Sequence, residues 1–246
     1  TKKSENYISV LNPRMSLRVA PNSTKDLRNK ESRIDVNNVY YLNRISENDV
    51  IEGGVSLVLG NDYSIFDEKN SKEVFGFKIA NNLRFKENDD LPMLNQIGQK
   101  TSNIFGEMSY SPNNYISTKY NTSIQNNLSD INYENFITDL KINNFVTTFD
   151  YLNENNSTSQ NSYLTNTTKY SLNNSNSLEF STRENKTSDL TEYYNFMYQY
   201  KNDCLSASIE YNKDYYSDRD IRPEESIFFK LTIIPFGETS SPDLKN

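Results

Sequence analysis

The sequence predicts an all-β fold, an antiparallel β-barrel that crosses a membrane on its strands. Three observations predict it. Apolar residues recur at every second position through most of the chain, the mark of strands with two unlike faces. Only 35% of the 246 residues are hydrophobic, yet there are 18 Tyr and 13 Phe. Disordered chains are poor in aromatics, whereas a barrel that sets one face of each strand in lipid and leaves the other wet combines a low apolar content with aromatic girdles. Finally, the connectors between the predicted strands alternate between short and long. No apolar run approaches the ~18 residues a membrane helix needs.

The last third shows the pattern best. Leu205, Ala207, Ile209 and Tyr211 alternate with Ser206, Ser208 and Glu210; after a charged, tyrosine-rich loop, Phe229, Leu231 and Ile233 alternate with Lys230 and Thr232. On this stretch alone a soluble sandwich hairpin fits equally well. The final strand, Ser226–Phe236, ends on an aromatic and carries Pro235, which removes one ladder donor.

About twelve strands are expected along the chain. The first is Tyr7–Ala20, with Met15, Leu17 and Val19 opposite Arg14, Ser16 and Arg18. Pro13 suggests a bulge or an edge there. A polar segment, Pro21–Glu52, follows, too long for a hairpin turn. Gly53–Tyr63 and Glu73–Lys86 come next. In the latter, Phe75, Phe77, Ile79, Leu83 and Phe85 oppose Lys78, Ala80, Asn82 and Arg84. Asn103–Tyr110 and Tyr115–Gln125 flank the turn Ser111-Pro112-Asn113-Asn114. The later strands, Asn132–Ile142, Asn144–Leu152, Ser162–Leu172, Ser177–Arg183 and Glu192–Tyr200, are more polar, as expected where one face lines water. Counted back from the last strand, the short turns fall on one side. Pro21–Glu52, Glu87–Lys100, Asn126–Ile131, Asn153–Asn161, Asn185–Leu190 and Asn212–Glu225 fall on the other. Short periplasmic turns with longer outward loops are the rule for membrane barrels, and a sandwich has no reason to alternate so.

Composition excludes several functions. The chain has no His and one Cys, so it has no Ser–His or Cys–His pair, no His-ligated metal and no Cys cluster for zinc. Neither enzyme chemistry nor a metal or other cofactor is expected. The net charge of −7 argues against nucleic acid, which a basic patch would attract. The first residues, TKKSENYISV, lack the apolar segment of a signal peptide, so an exported protein would begin upstream of them. Cys204 is either a small buried hydrophobe or half of a bond to a partner outside this chain.

Arg14, Arg18, Lys78, Arg84, Lys119 and Lys230 alternate with apolar residues and so should point into the lumen, with Glu107, Glu179 and Glu210 beside them. In the long first loop, Asn43, Arg44 and Asp49 read either as solvated residues, whose ion pairs contribute only ~0–1 kcal/mol, or as parts of an ordered plug. In that second reading Arg44 pairs with Asp49 or a neighbouring carboxylate.

Two stretches resemble the LptD (OstA, organic solvent tolerance) family of lipopolysaccharide-assembly proteins. One is Ile34-Asp35-Val36-Asn37-Asn38-Val39-Tyr40-Tyr41-Leu42-Asn43-Arg44 with Asp49 and Ile51-Glu52-Gly53-Gly54; Val50 stands where the family often has Arg. The other is Asn202-Asp203-Cys204-Leu205 through Tyr211, with Tyr215-Tyr216, Asp218, Pro223-Glu224, Ser226 and Phe228-Phe229. The resemblance implies that residues 1–237 are the C-terminal part of a larger outer-membrane barrel in a Gram-negative bacterium, followed by a polar tail, 238–246. It implies lipopolysaccharide as cargo, inserted into the outer leaflet without catalysis. Its implied partners are an LptE-like lipoprotein plug, an LptA-like periplasmic bridge reached through a missing N-terminal domain, and the barrel-assembly machinery. It gives Cys204 a disulfide to that domain, in an oxidising compartment. It makes the last strand, with Phe229, Leu231, Ile233 and Pro235, one side of a lipid gate. The alternative is a stand-alone barrel of about twelve strands, a porin or passive channel.

Overall fold

The structure, a computed structural model, describes residues 1–21, 25–30, 33–45, 51–155, 160–215, 224–233, 237–240 and 244–245. Among these residues the fold is all-β save for one 3-10 turn. The strands are β1 (Lys2–Lys3), β2 (Tyr7–Ala20), β3 (Gly54–Asp67), β4 (Glu73–Arg84), β5 (Thr101–Tyr110), β6 (Ile116–Ile124), β7 (Ile131–Ile142), β8 (Phe145–Asn155), β9 (Gln160–Ser171), β10 (Asn176–Asn185), β11 (Leu190–Lys201), β12 (Leu205–Asp214), β13 (Glu225–Ile233), β14 (Gly237–Ser240) and β15 (Leu244–Lys245). Hydrogen-bonded neighbours follow chain order from β1 to β14, and β15 returns to β13. The long strands β2 to β13 correspond one for one to the twelve expected, with ends shifted by a few residues. The order is that of an open antiparallel meander, not a closed ring.

The longest connectors lie where the sequence places them, between β2 and β3, β4 and β5, and β12 and β13. Two other outward connectors are shorter than expected, because β8 runs on to Asn155 and β10 to Asn185. The tightest turn joins β7 to β8 through Asn143 and Asn144. Asn143 takes φ 52° there, a left-handed value that Asn tolerates.

The chain forms two compact units. One comprises Thr1–Asn113, Ser117–Phe136 and Asn153–Gln160; the other comprises Asn114–Ile116, Ile137–Leu152 and Asn161–Asn246. In the first unit, exposure is inverted relative to a water-soluble sheet. Met15, Leu17 and Val19 on β2 are 73%, 63% and 64% exposed, and Leu59, Phe77, Ile79, Met108 and Tyr110 on the next strands are also bare. The positions between them, Arg18, Ser56, Asn82, Arg84 and Glu107, are buried. Here the polar row is the covered one.

The cover is the connector between β2 and β3, hereafter the strap. Its Leu27, Ile34, Val36, Val39 and Ile45 form one core cluster with Val58, Ala80 and Phe105 of the sheet and Leu91 and Ile97 of the β4–β5 connector. The strap is shaped locally by an Asx turn. The Asp35 carboxylate accepts from the amides of Asn37 (2.7 Å) and Asn38 (2.9 Å), and the Asn38 side-chain oxygen accepts from the Asp35 amide (2.9 Å). This reciprocal pair starts the 3-10 turn Asn38–Tyr40, as short polar side chains do by mimicking backbone. The turn sets Tyr40 on the sheet. A Cβ at Gly60 would collide with the Tyr40 hydroxyl and the Ile79 carbonyl, so only glycine lets the ring approach. Arg14 stacks over the ring, 3.9 Å from its centre.

The Tyr40 hydroxyl is buried and makes no hydrogen bond among the described residues. An unpaired buried polar group costs about 1–3 kcal/mol. Tyr40→Phe is therefore expected to hold the strap as well as or better than the native residue, and Gly60→Val to loosen it. Amide hydrogen exchange at Val39 and Tyr41 reads both. Faster exchange in Tyr40→Phe would show that the hydroxyl has a partner after all.

Candidate functional site

The centre of the covered face is a carboxylate among three guanidinium groups. Glu52 ends the strap, and its residue is 2% exposed; Arg44, Arg84 and Arg18 are 1%, 4% and 8% exposed. Register brings them together. Arg18 on β2 pairs laterally with Ser56 on β3, and Ser56 with Arg84 on β4, so two arginines flank one serine in a single row. Arg44 comes down on that row from the strap.

Arg44 grips Glu52 with two parallel bonds, Nε to Oε2 at 2.7 Å and Nη2 to Oε1 at 2.6 Å, the bidentate geometry that makes such pairs strong. Its remaining protons go to the Val39 carbonyl (3.1 Å), Asn82 Oδ1 (3.0 Å) and Ser56 Oγ (3.2 Å). Arg84 donates to Glu52 Oε1, to the Gly53 carbonyl (2.8 Å) and to the Ile97 carbonyl (3.2 Å). Gly54 takes φ +95°, and a Cβ there would stand 2.8 Å from Arg84 Nη1, so Gly54 allows both the turn and the close approach. Arg18 Nη1 lies 2.9 Å from Glu52 Oε2 but out of hydrogen-bond alignment, and its Nε has no acceptor among the described residues. The four side chains thus tie together the strap, three strands and the β4–β5 connector.

Burial by itself would raise the Glu52 pKa, since it penalises the charged form. The hydrogen bonds from Arg44 and the charges of Arg44, Arg18 and Arg84 outweigh it and hold the carboxyl below its ordinary value. Among the described residues, three cations face this one anion. Removing the anion is strongly damaging, because it takes away the carboxylate that Arg18, Arg44 and Arg84 share.

Of the basic residues expected on this face, Arg14, Lys78 and Lys119 also meet carboxylates. Arg14 reaches Asp62 at 3.4 Å; Lys78 (2.7 Å) and Lys119 (3.0 Å) share Glu107. Lys230 belongs to the other unit. With Lys201, Glu210, Ser206 and Ser208 it lines a polar recess of about 400 Å³. Asn43 is exposed. Asp49 and Pro235 lie outside the described residues. Phe229, Leu231 and Ile233 share one face of β13, with Phe229 and Ile233 exposed. Cys204 is exposed and free in the turn between β11 and β12. There Asn202 Oδ1 accepts from the amides of Cys204 (2.9 Å) and Leu205 (2.8 Å), so the burial open to it on sequence grounds is not found.

The sequence reading expects a carboxylate for Arg44 without assigning it to Glu52, and treats Arg18 and Arg84 as lumen cations. One signal for the cage was available: an acid followed by Gly53-Gly54, beside a strand whose facing positions carry arginines.

A sheet whose covered row is charged and whose bare row is apolar fits the strands of a membrane-barrel family. Residues 1–183 match the family model of LptD, LPS transport system D. That is about three-quarters of the 246-residue chain, and the chain belongs to the LptD family, a family of lipopolysaccharide transport. The first resembling stretch lies within the match; the second, around Cys204, lies beyond it. A comparison with curated proteins gives no match.

Because the Glu52 carboxyl is held low in the folded protein, its contribution to stability is fully present above the unfolded Glu value of about 4.3. It is lost as pH falls through the lower folded value. Glu52→Gln is expected to weaken attachment of the strap by about 3–5 kcal/mol at neutral pH, and to abolish the acid-dependent release expected of the native protein. Protease cleavage within residues 25–45, followed from pH 7 downward, measures both. Equal resistance of native and Glu52→Gln protein at every pH would contradict the cage.

Proposed function

We propose that this chain is the C-terminal part of an outer-membrane barrel that inserts lipopolysaccharide into the outer leaflet of a Gram-negative bacterium. The observation that carries this reading is the inverted exposure of the first unit in a chain of the LptD family. Met15, Leu17 and Val19 then face acyl chains, while the strap, the arginine cage and the Lys78–Glu107–Lys119 group face the lumen. The strap acts as a fixed partial plug that narrows the lumen on its outward side. No bond of the cargo is made or broken here.

Among the described residues, β1 pairs only with Ser9 and Ile8 of β2, and in this reading the rest of that edge pairs with another strand of the barrel, because an unpaired edge in lipid is costly. Cys204, exposed in the turn between β11 and β12, bonds a periplasmic domain of the complete protein in this reading. β13, with Phe229, Leu231, Ile233 and Pro235, forms one side of the seam through which lipid leaves. The lipoprotein plug, the periplasmic bridge and the assembly machinery are the partners this reading requires.

A photo-reactive residue at position 78 or 119 of the complete protein, in cells making lipopolysaccharide, is expected to capture it, and one at position 77 is not. Non-reducing electrophoresis of the same protein should show a bond from Cys204 that Cys204→Ser removes. Absence of capture at 78 and 119, with ion conductance after reconstitution, would support a passive channel instead.

A further inference from the structure

The polar recess of the second unit is shaped by two serines. On β12, Ser206 and Ser208 stand between longer side chains of the neighbouring strands. Register pairs Lys201 with Ser206 and Ser206 with Thr232; in the next row it pairs Gln199 with Ser208 and Ser208 with Lys230, and Met197 faces Glu210 in the third. The short side chains of the middle strand leave a hollow of about 400 Å³ between the flanking ones. The residues that alternate with them, Phe196, Tyr198, Ile209 and Phe229, are exposed on the opposite face. We propose that the hollow is a binding subsite for a phosphorylated saccharide. The phosphate lies over Ser206 and Ser208, between Lys201 and Lys230, and the sugar extends towards Glu210. This rests on the reading in which this face lines the path of a lipopolysaccharide.

The lining supplies what such a ligand needs. A lysine ammonium is a compact point charge on a flexible stem and a common binder of phosphate. β11 and β13 lie two strand spacings apart, about 10 Å, so both ammonium groups can reach an anion held above β12. A phosphate group brings three acceptor oxygens and roughly two negative charges, enough for two lysines and a serine hydroxyl together. A carboxylate brings one oxygen fewer and half the charge. Gln199 Nε2 donates to Ser206 Oγ at 3.4 Å, which leaves the Ser206 O–H to donate to a ligand. Glu210 sets the direction. Its Oε1 accepts from Asn195 Nδ2; the carboxylate repels a phosphate but accepts from sugar hydroxyls. The anion therefore sits at the Lys201 end of the hollow, beside the turn between β11 and β12, and the sugar ring lies at the other end.

The test uses the complete protein in detergent micelles, titrated by calorimetry with glucosamine 6-phosphate, inorganic phosphate and glucosamine. The sugar phosphate is expected to bind more tightly than either of its parts. Lys201→Gln and Lys230→Gln are each expected to weaken it about tenfold, and Lys201→Arg to keep most of the affinity. In cells, a photo-reactive residue at position 199 is expected to capture lipopolysaccharide. Inorganic phosphate that binds as tightly as the sugar phosphate, with no capture at 199, would overturn the saccharide subsite in favour of a free-anion site. No binding of the sugar phosphate and no capture at 199, with capture at 78 and 119, would overturn the subsite and leave the transport reading standing. No capture at 78, 119 or 199 would overturn both.

Discussion

A single carboxylate holds the first unit together. Glu52 is the only anion in contact with Arg18, Arg44 and Arg84 among the described residues, and each of those arginines sits on a different part of the chain. Ion pairs buried in a protein are weak evidence of stability, since desolvation offsets their attraction. They are strong evidence of specificity when every proton is aimed, as those of Arg44 are. The cage sets where the strap lies: it fixes the strap's end on the Arg18–Ser56–Arg84 row and so places Tyr40 over Gly60 and the apolar strap residues over Val58, Ala80 and Phe105.

The cage also explains why the polar row of the sheet is covered. In water, a sheet buries its apolar face and leaves the other wet. Here the strap's apolar side chains pack on Val58, Ala80 and Phe105, its Arg44 and Glu52 meet the charged positions, and Met15, Leu17 and Val19 stay bare. That arrangement calls for a solvent of its own on the bare row, and in the proposed reading acyl chains are that solvent. The second unit repeats the theme in weaker form. Ile209, Ile227, Phe229 and Ile233 are exposed, while the opposite face carries the recess lined by Lys201, Glu210 and Lys230.

The strands were legible because a two-faced strand writes its period into the chain, and even the polar ones, such as Gln160–Ser171, kept enough of it. Their ends were less so. β3 runs to Asp67 because Ile65 and Phe66 pair with Ser9 and Ile8, a fact of register that no local pattern contains. The strap read as a polar loop because its apolar residues, Leu27, Ile34, Val36, Val39 and Ile45, follow no period; they are placed by the Asx turn and the cage. Arg44 was singled out, but Glu52 was not assigned as its partner, since the cage is assembled by lateral register across β2, β3 and β4. The pairing of Gly237–Ser240 and Leu244–Lys245 with β13 was hidden for the same reason, as backbone pairing needs no side-chain signature.

The lipid-facing reading of the first unit depends on the two faces of β2 meeting different solvents. Spin labels placed singly at Ser16, Leu17 and Val19 in the complete protein, in a bilayer, test this through collision with oxygen, which favours lipid, and with a water-soluble nickel chelate. Labels at 17 and 19 are expected to meet oxygen and avoid the chelate, and the label at 16 to show the opposite preference or to be hidden from both. Chelate access at 17 and 19 equal to that at 16 would place the apolar row in water and contradict a lipid-facing sheet.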